Sequence, residues 1–166
     1  MVRAATRAAR LRRMSDESDF ASRVGAEASG FDACMGVRTV KATRDEVVLE
    51  YDVDERHRQP YGIVHGGMHC AVVESACSIG AGIDARAEGR SVVGVENHTS
   101  FIRAVRSGRV TVTATPITRG RRSQVWEATA RDEQGRVVST GRVRLLCLES
   151  DSQLVGEKVS VHAGRE

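Results

Sequence analysis

A short segment near the middle of the chain combines residue types suited to chemistry on a carbonyl group. Residues 59–67 read QPYGIVHGG, and a single carboxylate, Glu74, follows them. Two adjacent glycines, Gly66 and Gly67, let another group approach the backbone closely. If a helix starts here, its free N–H groups and its partial positive charge favour an oxygen that gains negative charge. The segment therefore predicts an oxyanion site at a helix N-terminus.

Glu74 is the only charged residue between His65 and Asp84. This stretch lacks proline and repeats apolar residues at helical spacing, which predicts a helix from Gly66 to about Ala87. A carboxylate in an apolar helix is costly to bury unless it is paired, so either a catalytic role or a structural pair would explain it. The same helix face carries small and polar residues: Gly67, Cys70, Ser78 and Ala81.

The rest of the chain is predicted to form the sheet that positions this helix. Alternating apolar residues predict strands at 37–40, 46–53, 91–102, 109–118, 124–131 and 136–148. Gly30 should end a short N-terminal helical region. Pro116 indicates an edge or a bulge, and Gly141 indicates a bulge in the middle of its strand. The order of strands, one helix and four antiparallel strands predicts an α+β fold.

The predicted helix is too short to cover a sheet of five or six strands. Its apolar stripe would comprise Met68, Ala71, Val72, Ser75, Ile79 and Gly82. A homo-oligomer that continues the sheet or pairs the helices would cover the remainder, so we expect a dimer or a tetramer.

Charge and composition exclude several classes of protein. The formal net charge is +3, but residues 1–13 hold five arginines and no acid, so without them the balance falls to −2. A nearly neutral body argues against a nucleic-acid-binding domain. No apolar run approaches a membrane span. The four cysteines form no C-x-x-C pair, which favours reduced thiols in the cytoplasm.

These features divide the chain into three parts. We expect a disordered Arg-rich tail at 1–15, one domain at 16–149 and a polar C-terminal tail at 150–166.

The H-G-G motif, with a carboxylate nine residues after His65 and Gln59 six residues before it, resembles the hotdog-fold thioesterases. The closest pattern is that of the phenylacetate-pathway and 4-hydroxybenzoyl-CoA thioesterases, and the resemblance covers about residues 30–149. It implies a single hotdog fold, in which an antiparallel sheet wraps around one long helix. It also implies an acyl-CoA substrate and no separate cofactor or metal.

The resemblance further implies a role for each residue of the segment. The N–H of Gly66 would polarise the thioester carbonyl, with help from Gln59 and with Gly67 beside the substrate. Glu74 would act as nucleophile or as general base, and would belong to the partner subunit. Ser78 would position the carboxylate or the water. His65 would place the substrate or support the site by hydrogen bonding.

CoA phosphates would lie near arginines, whose planar forks suit phosphate. The candidates are Arg103, Arg119, Arg121 and Arg122. Two other activities of the same fold are the alternatives: an acyl dehydratase or hydratase, and a non-catalytic acyl-CoA-binding regulator. Thioesters of a carrier protein remain alternative substrates. His65 and His69 have the spacing of a zinc helix, but Gly66 stands where the H-E-x-x-H signature requires Glu.

Overall fold

The computed structural model describes residues 19–26, 30–149 and 152–158. The Arg-rich tail expected at 1–15 lies outside the described residues. None of the helices in these three ranges combines the length and the apolar character of a membrane span.

One long helix and one antiparallel sheet make up most of the described chain. Two short helices come first, α1 (Ala21–Ala26) and α2 (Gly30–Cys34). The long helix is α3 (Gly66–Arg86), which follows a 3-10 turn at Glu55–His57. The six strands of the sheet are β1 (Arg38–Ala42), β2 (Val47–Asp52), β3 (Ser91–Phe101), β4 (Arg109–Arg119), β5 (Ser123–Asp132) and β6 (Val137–Leu148).

The strand order in the sheet is β1-β2-β4-β5-β6-β3. β3 is therefore an edge strand, although it is 11 residues long and follows α3 directly. It pairs with β6 from Ser91 opposite Leu148 to Phe101 opposite Ser139. This layout confirms the predicted α+β architecture and the predicted positions of its main elements.

Helix α3 covers one face of the sheet, and the core lies between them. Val47, Leu49 and Tyr51 of β2 alternate into this core and are fully buried, as their period-two pattern predicts. Trp126 of β5 is also fully buried, and its indole N–H donates to the side-chain oxygen of Gln124 at 2.9 Å.

The buried face of α3 is rotated from the predicted stripe. Met68 and Val72 are buried as expected, whereas Ala71, Ser75, Ile79 and Gly82 are only partly buried. The buried positions also include Val73, Ala76, Cys77, Gly80 and Ala81. Small residues on every side of this helix weaken the apolar contrast from which the stripe was inferred.

Two further predictions, both about glycines, differ from the structure. Gly141 is not a bulge, because it pairs in register with Thr99 and Ala128. A side chain there would instead collide with Val73, since an added Cβ would lie 2.7 Å from the Val73 Cγ1 atom. Gly30 begins α2 rather than ending a helix, and its φ of +59° suits glycine.

The structure also describes the strand around Pro116 and part of the predicted C-terminal tail. The bulge near Pro116 is confirmed, since the register of β4 shifts between Pro116 and Thr118. In the predicted C-terminal tail, the described residues form a short hairpin of β7 (Gln153–Leu154) and β8 (Glu157–Lys158).

Two glycines of α3 allow a matched test of the close packing against the sheet. A Cβ at Gly80 would collide with the Trp126 ring, whereas at Gly82 it would lie 3.9 Å from Val92. We expect Gly80→Ala to lower the free energy of unfolding by about 1–3 kcal/mol through overpacking. Gly82→Ala should be neutral or raise it by up to about 1 kcal/mol through helix propensity. Urea unfolding of both variants measures the difference, and equal effects would contradict the packing argument.

Candidate active site

A buried histidine fixes the backbone just before α3. The carbonyl of His57 accepts the N–H of His65 at 2.7 Å. The His57 ring is buried, and its Nδ1 accepts the Asp54 N–H at 2.9 Å. Its Nε2 must therefore carry the proton and donate to the Met35 carbonyl at 2.8 Å. The two hydrogen bonds of its ring hold His57 in one orientation. The backbone hydrogen bond from His65 to His57 therefore ties the start of α3 to the core.

His65 is the N-cap of α3 and satisfies two of the first helix donors. Its Nδ1 accepts the Gly67 N–H at 2.8 Å, and its carbonyl accepts the Met68 N–H at 2.9 Å. The first N–H groups of a helix have no intrahelical acceptor. The N–H of Gly66 consequently remains without a protein acceptor among the residues that the structure describes.

Gly66 lies directly against the ring of Phe101, a side chain that is more than half exposed. An added Cβ would lie 2.6 Å from the Phe101 ring, which passes over the Cα atom. The H-G-G motif predicts that this N–H binds a ligand, and no side chain at position 66 blocks it.

A cavity of about 300 Å³ lies at this helix start. Gln59, Gly66 and Arg103 line it, so the structure brings together three of the predicted site residues. The side-chain oxygen of Gln59 accepts the Tyr61 N–H at 2.7 Å. Its amide NH₂ is therefore the end left to donate. His69 also lines the cavity, which the sequence did not predict.

The Glu74 carboxylate is held by two side-chain donors. One oxygen accepts from the Asn97 amide at 2.9 Å, and the other accepts from the Ser78 hydroxyl at 3.3 Å. The carboxylate rests against Gly94 of β3, where any Cβ would collide with it. Glu74 is only half-buried, so its oxygens remain within reach of a ligand.

Asn97 is the residue of this cluster that the sequence did not identify. Its amide nitrogen also donates to the Cys70 carbonyl at 3.0 Å, which ties β3 to α3. The Thr99 hydroxyl donates to the Asn97 oxygen at 2.6 Å and fixes the orientation of the amide. A register shift between Gly94 and Glu96 turns Asn97 toward the helix. Strict alternation from Gly94 would have placed it on the opposite face.

Within one chain, the two halves of the predicted site are separated. Glu74 lies eight residues after Gly66, which corresponds to about 12 Å along a helix. It does not line the cavity that holds Gly66. A carbonyl bound at Gly66 is therefore out of reach of the same chain's Glu74.

The predicted arginines fall into two groups. Arg103 lies at the cavity. Arg119 is the last residue of β4, and Arg121 and Arg122 lie in the β4–β5 turn. Arg119 is 3.9 Å from Asp84, which stands about 27 Å along the helix from Gly66. Its guanidinium is already engaged by Asp45 at 2.5 Å and lies 5.6 Å from the Trp126 ring centroid.

Arg121 and Arg122, in contrast, are exposed at the turn. Arg121 is 3.7 Å from Glu149 in a pair open to solvent, which leaves its charge available to a phosphate.

In the part of the chain that the structure describes, no three His, Cys, Asp or Glu side chains are grouped to hold a metal ion. The expectation that no metal or cofactor takes part stays a prediction.

Comparison with known proteins identifies relatives over most of this fold. Residues 61–139 match the model of the Thioesterase superfamily. Rv1847 of Mycobacterium tuberculosis, provisionally named an esterase, is 43% identical over 122 residues, which are 72% of this chain and 87% of that protein. Its solved structure superposes with a TM-score of 0.71 at 44% identity, covering 72% of this chain and 96% of that one.

Two further relatives carry thioesterase names. The proofreading thioesterase EntH of Cronobacter turicensis is 37% identical over 109 residues, which are 66% of this chain and 79% of that protein. The solved structure of thioesterase HI1161 from Haemophilus influenzae superposes with a TM-score of 0.74 at 28% identity. That match covers 81% of this chain and 94% of the other. The fold predicted from the H-G-G resemblance, a hotdog fold, is confirmed.

The cap made by His65 can be tested apart from any chemistry. We expect His65→Ala to lower the free energy of unfolding by about 1 kcal/mol, because the Gly67 N–H loses its acceptor. His65→Asn should restore most of this stability, since asparagine is a strong N-cap. Denaturant unfolding of both variants is the measurement. Equal stability of the alanine variant and the wild type would contradict the capping role.

Proposed function

The chain belongs to the Thioesterase superfamily of thioester hydrolases, and on this basis we propose that it hydrolyses acyl-CoA to a carboxylic acid and free CoA. The observation that carries the proposal is the pair of groups on α3. One is the Gly66 N–H at the helix start, and the other is the half-buried Glu74 carboxylate held by Asn97 and Ser78. They are the two groups that attack on a thioester requires.

The helix start stabilises the carbonyl oxygen. The Gly66 N–H and the free amide end of Gln59 donate to this oxygen as it becomes negative, and the positive end of the α3 dipole adds to the effect. One such donor accelerates acyl transfer by about 10²–10³-fold. Because both donors are held in place before substrate arrives, little reorganisation accompanies the reaction.

Glu74 supplies the attacking oxygen or the base that generates it. In the first route, the carboxylate adds to the carbonyl carbon and water later releases the acid. In the second, it takes a proton from a water molecule that attacks directly. The CoA thiol is a good leaving group because thiols ionise near a pKa of about 8.5. Neither route requires a metal.

The site is proposed to form between two copies of the chain. Gly66 and Glu74 of one chain lie about 12 Å apart along α3, so the carboxylate that meets the bound carbonyl must come from a partner subunit. Strand β3 carries Asn97 and is an edge of the sheet, with exposed apolar side chains on Val95 and Phe101 and on Ile102, which follows the strand. A long edge of this kind presents unpaired N–H and C=O groups to which another strand can bind.

The CoA moiety is proposed to contact arginines from both subunits. Arg103 is beside the cavity of its own chain. Arg121 and Arg122 would come from the partner subunit, since their turn lies at the far end of α3 from Gly66. Arg119 is a weaker candidate because acidic residues already engage it.

We place the reaction in the cytoplasm. Each of the four cysteines, Cys34, Cys70, Cys77 and Cys147, is a free thiol in the structure. Cys77 is buried and inert, since burial raises the pKa of its thiol well above the ordinary value.

Exchange of the carboxylate for its amide tests the catalytic role. We expect Glu74→Gln to lower the turnover of acyl-CoA by at least about 10³-fold, because neither route retains an anionic oxygen. The measurement is thiol release from acetyl-, medium-chain, long-chain, phenylacetyl- and hydroxybenzoyl-CoA.

Glu127→Gln is the matched control, since Glu127 is an exposed carboxylate on β5. Its turnover should stay within about twofold of the wild type. Unchanged turnover in Glu74→Gln, with wild-type unfolding behaviour, would refute the assignment. Binding of acyl-CoA without hydrolysis by the wild type would indicate a regulator instead of an enzyme.

Mixed oligomers test whether the site is shared. Glu74→Gln and Gln59→Ala subunits are each expected to have low activity alone. A hybrid dimer would contain one intact site, formed by Gln59 of one chain and Glu74 of the other. Denaturing and refolding an equimolar mixture should therefore recover about a quarter of wild-type activity, because half of the dimers are hybrids. Activity no greater than the average of the two parents would show that each site lies within one chain.

A further inference from the structure

His69 is a buried polar side chain that the proposed reaction does not use. It lies in the first turn of α3 and is 5% exposed. Its Nδ1 is 3.3 Å from the hydroxyl of Ser139, which is fully buried. The Phe101 ring is its neighbour, with a centroid separation of 6.0 Å. The ring is thus fixed on one edge by a hydrogen bond and on one face by an aromatic contact.

The other ring nitrogen of His69, Nε2, has no protein partner within the described ranges. Among the described residues, Nε2 is not one of the fully enclosed side-chain atoms that lack a hydrogen-bond partner, so water or a ligand can reach it. A polar atom in a binding site is normally paired by ligand or water. His69 lines the same cavity as Gly66. Because Nδ1 is directed to Ser139, Nε2 is the ring nitrogen that is left for a ligand in this cavity.

The spacing relates this nitrogen to the reacting carbonyl. His69 follows Gly66 by three residues, which is about 4.5 Å along a helix and nearly one full turn. If the carbonyl oxygen binds the Gly66 N–H, Nε2 is within reach of the first few atoms of the acyl chain. Nε2 is too close to the thioester carbonyl to contact the far end of a long acyl chain.

We propose that His69 binds a hydroxyl group on the second or third carbon of the acyl chain, so that the enzyme selects hydroxyacyl thioesters over the matching plain acyl thioesters. This selectivity rests on the proposed thioesterase function and names its substrate class.

A hydroxyl group fits Nε2 in either tautomer of the ring. If Ser139 donates to Nδ1, Nε2 carries the proton and donates to the hydroxyl oxygen. If Nδ1 donates to Ser139, Nε2 accepts the hydroxyl proton. A hydroxyl group can play both parts, whereas a methylene group leaves Nε2 unpaired. Burial lowers the pKa of His69, which keeps the ring neutral at neutral pH and available for either bond.

The size of the cavity suits a short acyl group. Its volume of about 300 Å³ is twice the roughly 150 Å³ of a cavity that admits benzene. Four-carbon acyl groups therefore fit. Butanoyl and hydroxybutanoyl groups differ only in the hydroxyl group that His69 would bind.

The test compares kcat/KM for 3-hydroxybutanoyl-CoA and 2-hydroxybutanoyl-CoA, both enantiomers of each, with butanoyl-CoA. We expect wild type to prefer one hydroxylated substrate by about tenfold or more, since a site that hydrogen-bonds a hydroxyl discriminates against the analogue that lacks it. His69→Leu should reduce this ratio to near one. His69→Gln, which keeps a hydrogen-bonding tip, should retain part of the preference.

Ile63→Val is the control for pocket shape, since Ile63 lines the same cavity. It alters the apolar wall without changing side-chain hydrogen bonds, and should leave the substrate ratio within about twofold of the wild type. If His69→Leu does not fold, the wild-type ratio and His69→Gln decide the matter.

Equal kcat/KM for all substrates in the wild type would overturn the proposal, as would an unchanged ratio in folded His69→Leu. In either case, the thioesterase assignment would still hold if the wild type hydrolyses acyl-CoA and Glu74→Gln does not. Absence of hydrolysis with every acyl-CoA would overturn both.

Discussion

Helix α3 lies so close to the sheet that several contacts leave no room for a Cβ atom. Gly80 faces the Trp126 ring, Gly141 of β6 faces Val73, and Gly94 of β3 faces the Glu74 carboxylate. In each pair one residue is a glycine, and the side chain of the other residue occupies the space that a Cβ atom would need. The position of α3 along and across the sheet is consequently fixed at several points, and both of its functional groups are fixed with it.

The same close approach explains why a carboxylate is tolerated in the middle of α3. Glu74 projects toward β3, where Gly94 gives it space and Asn97 gives it a hydrogen bond. Asn97 in turn bonds the Cys70 carbonyl one helical turn earlier. One amide therefore joins the edge strand, the helix backbone and the carboxylate. An unpaired carboxylate in an apolar helix would be costly. The Glu74 carboxylate has a hydrogen-bond partner and is still partly exposed, so a ligand can reach it.

Much of this arrangement could be read from the sequence, because the relevant signals are local. The absence of proline and the apolar spacing located α3 to within a residue, and the H-G-G motif located its start. Gly141 was misjudged because a glycine within a strand is compatible with a bulge and with close packing alike, and only the neighbouring helix distinguishes them. Asn97 was missed because residues 96–100 of β3 are polar on both faces and a register shift reverses the alternation of the strand. Both the register shift in β3 and the packing partner of Gly141 depend on residues that are distant in the sequence, so neighbouring residues do not reveal them.

The choice of histidine as the N-cap of α3 has a chemical consequence that aspartate would not have. The Gly67 N–H is accepted by a ring nitrogen, Nδ1 of His65, and not by a carboxylate oxygen. An aspartate in this position would place an anion beside the Gly66 N–H, where it would compete with a bound oxyanion for the positive end of the helix dipole. With histidine as the cap, the second N–H of the helix has an acceptor and the field at the first N–H is left to the ligand.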